Sequence, residues 1–161
     1  MSPTYALLSY VAATFCLGKP DVYRAAMAHD KLVWCVAEVE TGNDHKSVGD
    51  NGRAYTAWQL HDAAILDGNY QLKKEGRMTY PVCDVLSSPR VAKAVASAYL
   101  RLCVLRLTSA GIKDPSPEQI YLCYSMGFKA YKDAKFKSLN CPPKKIDAAV
   151  RVGNLFAQAT R

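Results

Sequence analysis

Glu40 is the residue best placed to do chemistry. Val33, Val36, Ala37 and Glu40 fall at i, i+3, i+4 and i+7, so they share one face of a helix. The rest of that face is apolar, and a carboxylate there loses hydration, which disfavours its charged form. The last turn of a helix is the negative end of its dipole and acts in the same direction. Both effects favour a protonated carboxylic acid near neutral pH, which is what a general acid for glycosidic cleavage must be. Glu38, two residues away, points elsewhere on the helix and is expected to be solvated. Asp50 is the second candidate acid. Its Gly49-Asp50-Asn51-Gly52 setting also fits a plain turn in which the aspartate bonds its own backbone.

The elements that must position these groups read as mainly helical. Of 161 residues, 50% are hydrophobic and 22% charged, which excludes a disordered chain and fits one domain over residues 1–161. A first helix is expected over residues 4–17, stopped by Gly18, and a second over 21–41, stopped by Gly42-Asn43. Residues 43–56 are polar and glycine-rich, a loop or small hairpin turning at Asp50-Asn51-Gly52. A short helix is expected over 58–67. Ser88-Pro89 opens the clearest helix, apolar enough to be the central buried one, which ends at Gly111. Ser116-Pro117-Glu118-Gln119 is a capping-box pattern that opens another, and the last helix follows Pro142-Pro143.

Residues 37–65, AEVETGNDHKSVGDNGRAYTAWQLHDAAI, resemble the catalytic segment of lysozyme-like lytic transglycosylases. The likeness is greatest to the bacterial and phage branch related to goose-type lysozyme. That branch reads glutamate-serine at a helix end, a Gly-Asp-x-Gly loop, then Gly-x-x-Gln. Glu40-Thr41, Gly49-Asp50-Asn51-Gly52 and Ala57-Trp58-Gln59-Leu60 occupy those places, and GDNGRAY at 49–55 is the most specific part. The resemblance extends over about residues 22–135, with the parts in the family's order. Three positions depart from the pattern. Thr41 replaces serine but keeps the hydroxyl. Thr56 stands where the family usually has glycine, and a side chain there would narrow a sugar cleft. Ser125 replaces the asparagine of an aromatic-Asn-Gly-Gly motif, here Tyr124-Ser125-Met126-Gly127.

The resemblance implies a lysozyme-like α+β fold and cleavage of the β-1,4 bond between N-acetylmuramic acid and N-acetylglucosamine in peptidoglycan. Glu40 would be the acid and base of a lytic transglycosylase, which needs no second carboxylate. Asp50 would activate water if the route were inverting hydrolysis, with Asp62 in reserve. Thr41, Tyr55, Gln59, Tyr124 and Ser125 would line the substrate groove. In it Gln59 would donate to a sugar acetamide or hold Glu40, and Tyr55 and Tyr124 would stack on sugar rings. Trp58 reads as core and His61 as a surface group. No cofactor or metal is called for. The alternative is a catalytically weak or inactive lysozyme-fold protein with a structural or glycan-binding role, for example in a phage particle.

The 21 basic residues outnumber the 14 acids, giving +7, which suits an anionic partner. Lysines 129, 132, 135, 137, 144 and 145 form a cationic stretch that reads as a solvated face or as attraction to wall polymer. No nucleic-acid recognition motif accompanies it. The thirteen apolar residues at 5–17 fall short of the roughly 20 that span a membrane. No basic residue precedes them, so a secretory signal is not expected, and Met1 argues against truncation at the front. A wall substrate without an export signal suits a phage enzyme, held in the host cytoplasm before release or carried in the virion. It also suits a domain cut from a longer secreted protein. None of the six cysteines lies close enough to another for a zinc knuckle, and Cys35 and Cys103 read as buried free thiols.

Overall fold

A computed structural model of the chain describes residues 20–159, with side chains from Ala28 onward. The expected helix over residues 4–17 lies outside the described residues. What is described is mainly helical, with one small hairpin. Helix α1 (Pro20–Thr41) leads to strands β1 (Val48–Gly49) and β2 (Ala54–Tyr55), then α2 (Asp62–Lys74), α3 (Val82–Ser87) and α4 (Pro89–Ser109). Helices α5 (Pro117–Met126), α6 (Phe128–Asp133) and α7 (Pro143–Gln158) follow, with a 3₁₀ turn at Ser138–Asn140.

Local chemistry sets most of the helix ends. Gly42 and Asn43 both take left-handed backbone, at φ 66° and 63°. Their N–H groups bond the Glu38 and Ala37 carbonyls, at 2.9 and 3.2 Å, so the end of α1 leaves fewer acceptors orphaned. Ser88 caps α4 by accepting from the Val91 N–H, with Pro89 in the first turn. The Ser116 capping box forms as expected: its hydroxyl accepts from the Gln119 N–H, and Gln119 Oε1 accepts from the Ser116 N–H.

Helix α4 is the hub, packed against α1, α2, α3, α5 and α6. Its buried Val95, Leu100, Leu102, Cys103 and Leu107 form the middle of the core, each large side chain contributing about 1.5–3 kcal/mol on burial. Gly68 brings α2 unusually close. A Cβ there would stand 2.7 Å from both Val95 Cγ1 and the Val95 carbonyl oxygen. Two ion pairs hold the same crossing. Arg106 reaches Asp67 at 2.6 Å, and Arg101 grips both oxygens of Glu75 at 2.7 Å. Arg101 also donates to Ser97, whose hydroxyl lies 2.9 Å from His29 Nε2 on α1. Burial, then the Arg101 charge, pushes the His29 pKa down to about 4, so the ring is neutral where it packs.

Two local expectations need correction. The helix expected over 58–67 begins at Asp62 and runs to Lys74, because residues 56–60 form a tight turn instead. In that turn Thr56 has φ 67° and Gln59 φ 48°, neither of which a helix tolerates. The short helices α3 and α6 were not expected at all. Cys35 and Cys103 are buried free thiols, as read from the sequence; Cys123 and Cys141 are buried too, and Cys83 is exposed.

Candidate functional site

Glu40 lies in the last turn of α1, half-buried, with Val33, Val36 and Ala37 fully buried along the same face. Tyr121 of α5 donates its hydroxyl to Glu40 Oε1 at 2.8 Å. Burial pushes the Tyr121 pKa far above its usual value, and the Glu40 charge and the bond to it push further. The phenol therefore stays a donor throughout the neutral range. Arg151 of α7 pulls the other way, so its guanidinium lies within electrostatic reach of the same hydroxyl. No hydrogen bond within the described residues engages Glu40 Oε2.

The end of α1 is fastened to the turn at 56–60 through main-chain oxygens. Thr41 Oγ1 donates to the Ala57 carbonyl at 3.0 Å and also accepts from the Asp44 N–H at 3.1 Å. Tyr124 donates to the Trp58 carbonyl at 2.6 Å, and the Trp58 indole N–H to the Val33 carbonyl at 2.8 Å. Trp58 is core, as expected, with His45 tilted against its ring. Each of these donors satisfies a polar group that the packing would otherwise strand.

The hairpin pairs Val48 with Tyr55 and Gly49 with Ala54. Asp50 and Asn51 both take positive φ, 52° and 56°, and the Gly52 N–H closes the turn on the Gly49 carbonyl at 3.0 Å. Asp50 is exposed at this tip. Its carboxylate lies 3.4 Å from His61 Nε2 and 3.8 Å from Arg53. His61 is a surface group, as expected, and Asp62 is exposed in the first turn of α2.

Several expected groove residues stand elsewhere. Gln59 folds back under the hairpin, where its amide donates to the Thr56 carbonyl at 3.2 Å and lies 3.4 Å from Ser47 Oγ. It bonds the hairpin, not Glu40, and only the missing Cβ of Gly49 gives its side chain room. Tyr124 is buried between Tyr99 and Tyr121, so its ring is not a face for stacking on sugar. Tyr55 remains half-buried on β2, its backbone bridged to Leu60. Thr56 is buried, not at the edge of an open cleft, and its hydroxyl has no partner. The Ser125 hydroxyl is likewise buried; it borders the Tyr121 phenol without a hydrogen bond of good geometry.

Glu38, expected to be solvated, keeps partial exposure. It is half-buried, accepts from the Asn43 amide, and lines a cavity of about 310 Å³ with Arg151, Asn154, Leu155 and Gln158. A second cavity, about 630 Å³, lies at the α2, α4 and α6 contact, around the Asp67–Arg106 pair and Phe128. Glu40 lines neither. Tyr121 and Arg151 were not singled out from sequence as site residues. The one available signal for Tyr121 was its place beside Tyr124 on a well-capped helix. Among the described residues no cluster of three or more His, Cys, Asp or Glu side chains is arranged to hold a metal ion, and no helix is long and apolar enough to cross a membrane. No family model, curated protein or solved structure matches the chain.

Proposed function

We propose that this chain has a lysozyme-like fold and cleaves the β-1,4 bond between N-acetylmuramic acid and N-acetylglucosamine in peptidoglycan, as a lytic transglycosylase. The observation that carries the reading is the setting of Glu40. It is a single carboxylate at a helix end, held through Oε1 by a buried phenol while Oε2 is left to act. Glu40 gives its proton to the leaving glycosidic oxygen. The muramic 6-hydroxyl then attacks the anomeric carbon and returns its proton to Glu40, forming a 1,6-anhydro end. One acid suffices for both steps. That suits a site whose other carboxylate, Asp50, sits exposed on a turn between His61 and Arg53.

The left-handed backbone at Thr56 adds support, because the resembling family usually has glycine there and φ 67° is a glycine conformation. The partner is the glycan strand, outside the cytoplasmic membrane, and a phage-encoded enzyme is the source that fits best. Purified cell walls test the proposal. The chain should clear them and Glu40→Gln should not, and the products should be anhydro-ended muropeptides. Reducing ends would instead point to hydrolysis. The orphaned Ser125 hydroxyl, in place of an amide, favours a second reading in which the fold binds glycan without cleaving it. Wall binding without clearing by either protein would select that reading.

A further inference from the structure

We propose that the cavity between α1 and α7 binds the peptide arm of the wall polymer, through a residue bearing a free ammonium and a free carboxylate; this rests on the reading of the chain as a peptidoglycan enzyme. Glu38 and Arg151 line one cavity of about 310 Å³, yet neither forms an ion pair with the other or with any other described residue. Opposite charges that share a cavity without touching are complementary to a zwitterion of matching span. Cavities of roughly 300 Å³ and above are the usual size for small-ligand sites.

The polar complement agrees. Arg151, Asn154 and Gln158 recur at helical spacing, so α7 turns a guanidinium and two amides to the same side. The guanidinium suits a carboxylate through paired N–H donors, the amides suit peptide N–H and C=O groups, and the Glu38 carboxylate suits an ammonium. Leu155 supplies the apolar wall. The Asn43 amide already bonds Glu38, which fixes the carboxylate in place before a ligand arrives. The cavity is also close to the proposed chemistry. Glu38 and Glu40 stand in the same last turn of α1, on different faces, and Arg151 acts electrostatically on Tyr121, which holds Glu40. A glycan strand with its bond at Glu40 would carry its peptide arm into this neighbourhood. Diaminopimelate, with an amine and a carboxylate at its free end, has the required chemistry; lysine at the same place lacks the carboxylate.

Binding is measured on the full chain by calorimetry or amide chemical shifts, with no cleavage required. The probes are the stem tripeptide with diaminopimelate third, N-acetylated and amidated at its main-chain carboxyl, the same capped peptide with lysine third, and a peptide-free chitooligosaccharide. The diaminopimelate peptide should bind, with the shifts centred on Arg151, Asn154 and Glu38. Replacing it by the lysine peptide should weaken binding about tenfold, as should Arg151→Ala or Glu38→Gln, each removing one charge-assisted contact. Equal affinity for both peptides, indifference to both substitutions, absence of peptide binding, or chitooligosaccharide shifts at this cavity would each overturn the proposal. A protein that binds the peptide yet leaves walls intact would refute the cleavage reading alone.

Discussion

Thr56→Gly should make the protein more stable, although it deletes a buried side chain. A β-branched residue at φ 67° carries a steric penalty of about 1–2 kcal/mol, which glycine does not. The buried Thr56 hydroxyl has no partner, and leaving such a group dry costs about 1–3 kcal/mol. Against these gains stand lost burial of the methyl group, about 0.8 kcal/mol, and the freer unfolded glycine chain, about 0.5–1 kcal/mol. Loss of packing around the emptied position adds about 1 kcal/mol on the same side. The balance favours glycine by about 1 kcal/mol. Thr56→Ala, which removes the hydroxyl but keeps the strained backbone, should fall between the two. Urea unfolding followed by circular dichroism measures this directly: the midpoint should rise for glycine with the slope unchanged. The melting temperature should rise by about 2–4 °C. A glycine variant less stable than the parent by about 1 kcal/mol would refute the argument, since it would mean that the turn at 56–60 does not hold the left-handed conformation.

Tyr121→Phe should lower wall clearing about tenfold while unfolding remains cooperative, because it removes the hydrogen bond that positions Glu40 Oε1 and leaves the ring in place; clearing rate and urea midpoint separate the two effects. Stability should fall as the solution is acidified from pH 6.5 towards 4. The folded protein holds His29 neutral down to about 4 against 6.5 when unfolded, so the stabilisation is complete above 6.5, and its loss amounts to about 3 kcal/mol at most. His29→Gln should flatten that part of the stability–pH curve. Below it Glu75 takes over. Burial pushes the Glu75 pKa up, but the bonds from Arg101 and Gln71 and the Arg101 and Arg77 charges outweigh burial and hold it below the usual value. Protonating Glu75 therefore costs stability in still more acid solution. Gly68→Ala should destabilise by about 2 kcal/mol or more, because the new methyl meets the Val95 backbone as well as its side chain; an unchanged urea midpoint would show that the helices can part.

Elements with strong local signals were legible in the sequence. Ser88-Pro89, the Ser116 box and Gly42-Asn43 mark helix ends by side-chain chemistry within a few residues, and those ends stand where the spacing puts them. The start of α2 was misplaced because the left-handed backbone at Thr56 and Gln59 runs against the preferences of both residues; tertiary packing imposes it. The six-residue helices α3 and α6 are too short to carry a period. At the candidate site, the placing of Glu40 on a buried face followed from four residues of one helix. Its partner could not follow, because Tyr121 lies 81 positions away and comes to it only through the packing of α5. Gln59 was expected beside a ligand from its place in the resembling family's motif, and Tyr124 because its ring could stack on a sugar. In the fold each spends its polar group on a carbonyl of the turn, a use that side-chain chemistry alone does not distinguish.

The grip on the Ala57 and Trp58 carbonyls divides the two acids by their freedom to move. Glu40 belongs to the framework: for it to shift, α1, α5 and the base of the hairpin must come apart together. Asp50 rides on strands of two residues each, in water, and that tip can open at little cost without disturbing anything behind it. The separation of the two carboxylates is therefore a property of the loop and fluctuates with it. Chemistry that requires both acids at one fixed spacing would have to wait for the tip to settle, whereas chemistry that requires only the anchored acid is ready at all times.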